Sequence, residues 1–248
     1  MTTTISTGHP LAVAATTAIR SGDVDTLRQL LAAHPDLATT RVGDDNPDGM
    51  SRTLLHVVTD WPGRFPNGAT TVTLLVAAGA DVNGRFRGPH DETPLHWAAS
   101  SDDVAVLDAL LDAGADIDAP GAVIGGGPPL ADATAFRCWN AAYRLVERGA
   151  EITLFSAAAL GLTDRLEASF AEGDQPPAEE VNRAFWAACH GGRTDAARYL
   201  LARGAELNWL PPWEPLTPLD TAATSGSAEL VSWLHTCGAR TASQLRGD

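Results

Sequence analysis

Side chains able to do chemistry are few and scattered along the 248 residues. Cys189 and His190 are adjacent, yet neighbouring helical residues point about 100° apart and do not face each other. They are therefore not a thiol–imidazole dyad. His90-Asp91-Glu92 matches the H-x-E half of a zinc deaminase signature, but the P-C-x-x-C half is missing. Neither an H-E-x-x-H pair nor a G-x-S-x-G nucleophile turn occurs. Gly125-Gly126-Gly127 follows no strand pattern and lacks the G-x-G-x-x-G spacing, so it reads as a flexible loop tip. Lysine is absent: all 17 basic residues are arginine. That removes Schiff-base chemistry and the phosphate-loop lysine together. No cofactor and no metal site is expected.

Bulk properties narrow the partners. The net charge is −14 and the isoelectric point about 4.7, so phosphate backbones and anionic membranes are repelled. No nucleic acid and no membrane is expected as a partner. No apolar run approaches the roughly 18 residues that a bilayer span requires. Met1 to Thr17 carries no basic residue ahead of Leu11-Ala12-Val13-Ala14-Ala15, which argues against a secretory leader. Cys138, Cys189 and Cys237 form no Cys-x-x-Cys pair. They read as reduced thiols in a cytoplasmic protein.

The elements that must position any site recur. Glu92-Thr93-Pro94-Leu95-His96-Trp97-Ala98-Ala99 is followed by Val104 to Leu111 and then by Asp112-Ala113-Gly114-Ala115-Asp116-Ile117-Asp118. Thr93-Pro94 starts a helix, hydroxyl as cap and proline at the first helical position. Leu107, Leu110 and Leu111 form the buried stripe of a second helix. Gly114 ends that helix in a left-handed conformation. Copies of the pattern begin at Thr53, Pro129, Phe185 and Thr217, and weaker ones run Ala18 to Pro35 and Leu154 to Gly173.

These segments resemble the ankyrin-repeat family, whose T-P-L-H-x-A-A and L-L-x-x-G-A-D-x-N signatures both occur, spaced near its period of about 33 residues. The resemblance covers Ala18 to Ala239. It implies an all-α solenoid of about seven helix–turn–helix units with short β-fingers. The expected organisation is a tail over residues 1–15, one repeat domain over 16–240 and a second tail over 241–248. Three departures interrupt the repeat: the insertion Pro62 to Pro66, the glycine-rich loop Ala119 to Pro129, and the exit Gly173-Asp174-Gln175-Pro176-Pro177. Departures from a repeat pattern mark places where something besides stacking is served.

The resemblance also implies a concave groove, and carrying its positions over gives an inventory. Finger positions hold Arg52, His90, Glu92, Ile124, Trp213 and Glu214. Inner-helix positions hold Asp60 and Trp61, Ser100 and Ser101, Ala135 and Phe136, Ala159 and Leu160, His190 and Gly191, then Thr224 and Ser225. Trp97, Trp186 and Asp132 occupy nearby sites where the family normally has small or aliphatic residues. His56 and His96 fall on the family's structural histidine.

Two functions fit this inventory. In the first, the chain is a cytoplasmic module that takes a protein partner into its groove. The acidic surface favours a basic segment, with Trp61, Trp97, Ser100, Phe136, Trp186 and Trp213 as contacts. In the second, a small organic ligand enters an aromatic pocket, and the chain is an isomerase, cyclase or lyase. Asp60 or Glu92 would then be the base and His90 or His190 the acid. That reading requires a deep pocket closed by the Pro62–Pro66 insertion or by the glycine-rich loop.

Overall fold

The computed structural model describes residues 3–44, 46, 49–171 and 175–247. Gly173 and Asp174, part of the expected exit of the fifth repeat, lie outside the described residues. The chain divides into two compact units, residues 1–150 and 151–248.

The first unit holds four helix pairs: α1 (Pro10–Ser21) and α2 (Val24–Ala33), α3 (Leu54–Thr59) and α4 (Gly68–Ala77), α5 (Pro94–Ser100) and α6 (Val104–Asp112), α7 (Pro129–Ala135) and α8 (Trp139–Glu147). A small sheet joins its start. β1 (Thr4–Ser6) pairs in parallel with β2 (Arg41–Gly43), which pairs antiparallel with β3 (Ser51–Thr53). Residues 1–15, expected as a tail, therefore carry a strand and the start of α1. Ala12 and Ala15 are wholly buried in the core there. Sequence matching missed this because the first repeat lacks the Thr-Pro-Leu-His start.

The second unit holds α9 (Leu154–Leu160) with α10 (Thr163–Ala171), α11 (Ala178–His190) with α12 (Thr194–Ala202), and α13 (Pro218–Ser225) with α14 (Ala228–Thr236). The short α15 (Ala242–Arg246) follows, inside the segment expected as a second tail.

Local chemistry starts and stops each pair. Thr53 with His56, Thr93 with His96, Thr153 with Ser156 and Thr217 with Asp220 each form a reciprocal cap that satisfies two helix-start amides. Gly79, Gly114, Gly149 and Gly204 sit at φ 97°, 91°, 96° and 95° just past the outer helices, where a side chain would be strained. Leu95, Leu107, Leu110, Leu130 and Leu145 are almost fully buried, each stabilising by about 1.5–3 kcal/mol. Ala98 and Ala99 have no exposed surface, so α3, α5 and α7 lie close together. Asn83 stitches neighbouring turns: its Oδ1 accepts from Asp116 N at 2.8 Å, and its Nδ2 donates to Gly114 O at 3.3 Å.

Candidate functional site

His56 and His96 align the inner helices. Thr53 N donates to His56 Nδ1 at 3.3 Å, and His56 Nε2 lies 3.2 Å from Glu92 O in the next repeat. Thr93 N donates to His96 Nδ1 at 3.1 Å, with Nε2 3.2 Å from Gly127 O. An accepting Nδ1 requires the proton on Nε2, so both rings are neutral donors to the next finger. Burial disfavours their charged forms and lowers the pKa of His56 to about 3 and of His96 to about 4. These rings hold the backbone of Glu92 and of the glycine-rich loop in place.

The glycine-rich loop closes on itself through backbone bonds. Gly121 N donates to Gly126 O and Ala122 N to Gly127 O, both at 2.9 Å. The inserted segment is fixed as well. Arg64 N donates to Asp103 Oδ2 at 2.8 Å. Gly63, at φ 74°, packs so closely on Ser101 that a Cβ would overlap it.

Between these two fixed segments lies a cavity of about 560 Å³, lined by Thr59, Asp60, Trp61, Glu92, Trp97, Ser100, Ser101, Val123 and Phe136. Trp61 is 84% exposed and Phe136 49%, so both stand at the rim. Glu92 is only 7% exposed and lies deep in the wall, taking a hydrogen bond from Trp97. The Trp97 ring is fixed edge-on to His56, 4.9 Å between centroids, and lies 5.4 Å from Phe86. Ser100 and Ser101 both donate back to Trp97 O, at 3.2 and 2.8 Å.

The carboxylates differ in what they can do. Asp60 Oδ2 is held by Arg20 at 2.7 Å and Arg52 at 2.8 Å. That oxygen of Asp60 is thus engaged in two ion pairs, which the sequence did not show. Burial raises the Glu92 pKa, and only the Trp97 bond and the nearby His90 act against it. His90 itself is exposed on a bend outside the cavity wall.

Asp132 was visible in the sequence only as an acid at an apolar position. It has no exposed surface, and neither carboxyl oxygen makes a hydrogen bond of good geometry. The amides of Ile124 and Val123 offset this only in part. Burial, and then the negative charge of Glu92, raise its pKa to about 7. Asp132 is not part of the cavity lining, but it lies close enough to Glu92 for the two charges to repel.

Trp186, His190 and Trp213 belong to the second unit and form a cluster of their own. His190 stacks on Trp186 at 5.2 Å, and its Nδ1 lies 3.2 Å from Thr221 Oγ1. Trp186 is buried, and its indole N–H donates to Leu216 O at 2.9 Å. It is a packing residue, contrary to the expectation of a partner contact. Trp213 is partly exposed, with the Arg183 guanidinium 4.9 Å from its ring centroid. Among the described residues no group of three or more His, Cys, Asp or Glu side chains is placed to hold a metal ion. Among the same residues no helix is long and apolar enough to cross a membrane.

Residues 13–121 match the family model for ankyrin repeats in three copies. The chain is an ankyrin-repeat protein. It is similar to the palmitoyltransferase AKR1 of Kluyveromyces lactis, 35% identical over 101 residues, 40% of this chain and 12% of that one. The ankyrin repeat and KH domain-containing protein CBG24701 of Caenorhabditis briggsae is 31% identical over 193 residues, 71% of this chain and 7% of that one. The ankyrin chain therefore spans about a tenth of the length of these curated relatives. The crystal structure of the human ASB11 ankyrin repeat domain superposes with a TM-score of 0.54 at 19% identity. That match covers 90% of this chain and 96% of the other, and at such identity it shows the fold alone.

Proposed function

We propose that this chain recognises a protein partner in the cytoplasm, and that the cavity face of the first unit receives a basic segment of that partner. The observation that carries this reading is the cavity itself, with Trp61 and Phe136 exposed at its rim and Glu92 in its wall. Large exposed aromatics beside a concavity are the residues that anchor interfaces. Ankyrin repeats generally mediate protein–protein interaction, and a net charge of −14 attracts cationic sequences. Trp97 and Ser100 extend the contact inward, and Trp213 offers a further contact in the second unit.

The acid–base reading has one specific observation in its favour, the raised pKa of Glu92 in a cavity sized for a small ligand. Asp60 is occupied by two arginines, and this reading then rests on Glu92 with His90.

Selection of random displayed peptides against the immobilised full chain tests the recognition reading. Selected peptides should carry a basic residue beside apolar ones. Trp61→Ala and Phe136→Ala, both at exposed positions, should each weaken them on the order of tenfold. Selected peptides that bind both variants as well as the wild type would overturn it.

A further inference from the structure

The floor of the cavity has an unbalanced charge. Glu92 is nearly buried and Asp132 wholly so, yet among the described residues no arginine forms an ion pair with either one. Asp60, which lines the cavity, already engages both Arg20 and Arg52. Two carboxyls close together in a poorly solvated place oppose each other's ionisation, and a cation beside one of them relieves both. Trp61, Trp97 and Phe136 line the same cavity, and an aromatic ring attracts a cation over its face. The cavity thus has a nearly buried carboxyl, aromatic walls and no arginine among its lining residues.

Resting on the recognition reading above, we infer that this cavity is an alkylammonium site, which takes a lysine side chain of the partner with its nitrogen against Glu92. The shape argues for an ammonium over a guanidinium. Glu92 already accepts the Trp97 indole N–H, so it lacks the free edge that a bidentate guanidinium needs. A compact ammonium needs only one acceptor direction, and its apolar stem suits the rings at the rim. Asp132 supplies the second negative charge from behind the floor. Thr59, Ser100 and Ser101 complete the polar lining.

The test titrates the full chain with n-butylammonium and, at matched ionic strength, with 1-butanol, its neutral counterpart, following tryptophan fluorescence. The ammonium should bind on the order of tenfold tighter than the alcohol. Glu92→Gln and Asp132→Asn should each abolish that preference and leave 1-butanol binding unchanged. Equal affinities, or a preference that survives both substitutions, would overturn the inference. The selected peptides separate this from the recognition reading. If exchanging lysine for norleucine leaves peptide binding intact while Trp61→Ala abolishes it, recognition stands and the ammonium site fails. If the ammonium preference holds but peptides ignore Trp61 and Phe136, the ammonium chemistry stands and the recognition of a partner fails.

Discussion

Replacing Asp132 by asparagine keeps the shape of the side chain and removes its titration. The carboxyl is held near pKa 7 in the folded chain against a usual 3.8, because burial and the Glu92 charge both oppose ionisation. The unfolded chain ionises this group as pH rises past 4, whereas the native chain keeps its proton until about 7. Stability is therefore lost across that window and levels off above it. At about pH 5 the loss is roughly 1.2 pKa units, or about 1.5–2 kcal/mol, and at about pH 8 it approaches 3 units, or about 4 kcal/mol. Wild type should thus lose about 2–3 kcal/mol relative to Asp132→Asn between these two pH values.

Urea denaturation of both proteins at several pH values measures this directly. The comparison must be a difference between proteins, because His56 and His96 titrate with the opposite sign in the same range. Both histidines are present in wild type and variant, so their contribution cancels. The variant should gain on the wild type steadily from about pH 5 to 7 and hold its advantage above that. Parallel stability curves over this range would refute the claim that Asp132 is buried without a counter-charge. A saturating alkylammonium should also shrink the wild type's disadvantage at high pH, since a ligand that binds only the native state stabilises it.

Further expectations concern the scaffold. His56 and His96 have depressed pKa values, so stability is full above the unfolded value of about 6.5 and is lost as pH falls towards 4 and then 3. Each should cost about 2 kcal/mol at pH 5, and nitrogen NMR should find both rings neutral with the proton on Nε2 at that pH. Gly191→Ala places a methyl group onto the carbonyl of Ala159 across two packed inner helices. It should destabilise by about 2 kcal/mol or more, seen as a lower urea midpoint with an unchanged slope.

The repeats were legible because each depends on local chemistry. Thr93, Pro94, the Leu107 and Leu110 stripe and Gly114 act within one helix pair, and their spacing shows without any tertiary information. The first repeat was under-read because its start, at Pro10, is capped by His9 and uses no recurring motif. Asp60, Trp61, Glu92, Trp97, Ser100 and Phe136 were placed from repeat positions and do line one cavity. What each can do there was not legible. Asp60 lies 40 residues from Arg20 in the chain, and only packing shows that the two are paired. Trp186 likewise has the residue type of an interface anchor, and its burial becomes evident only with Leu216 in place.

Asp132 binds these observations together. An acid at a core position of an otherwise apolar helix makes that helix less stable at neutral pH than asparagine or alanine would. A repeat scaffold has no internal need of it, since Val57 and Trp97 fill the matching positions of the two preceding repeats. Nor does the fold compensate for it, because Arg20 and Arg52 are spent on Asp60. Such local cost is characteristic of sites organised for something other than stability. Trp61, next to the Pro62–Pro66 insertion, and Val123, in the glycine-rich loop, line the same cavity. Two departures from the pattern border one cavity and a costly acid lies beside its Glu92, which stacking alone does not explain and the proposed cation would.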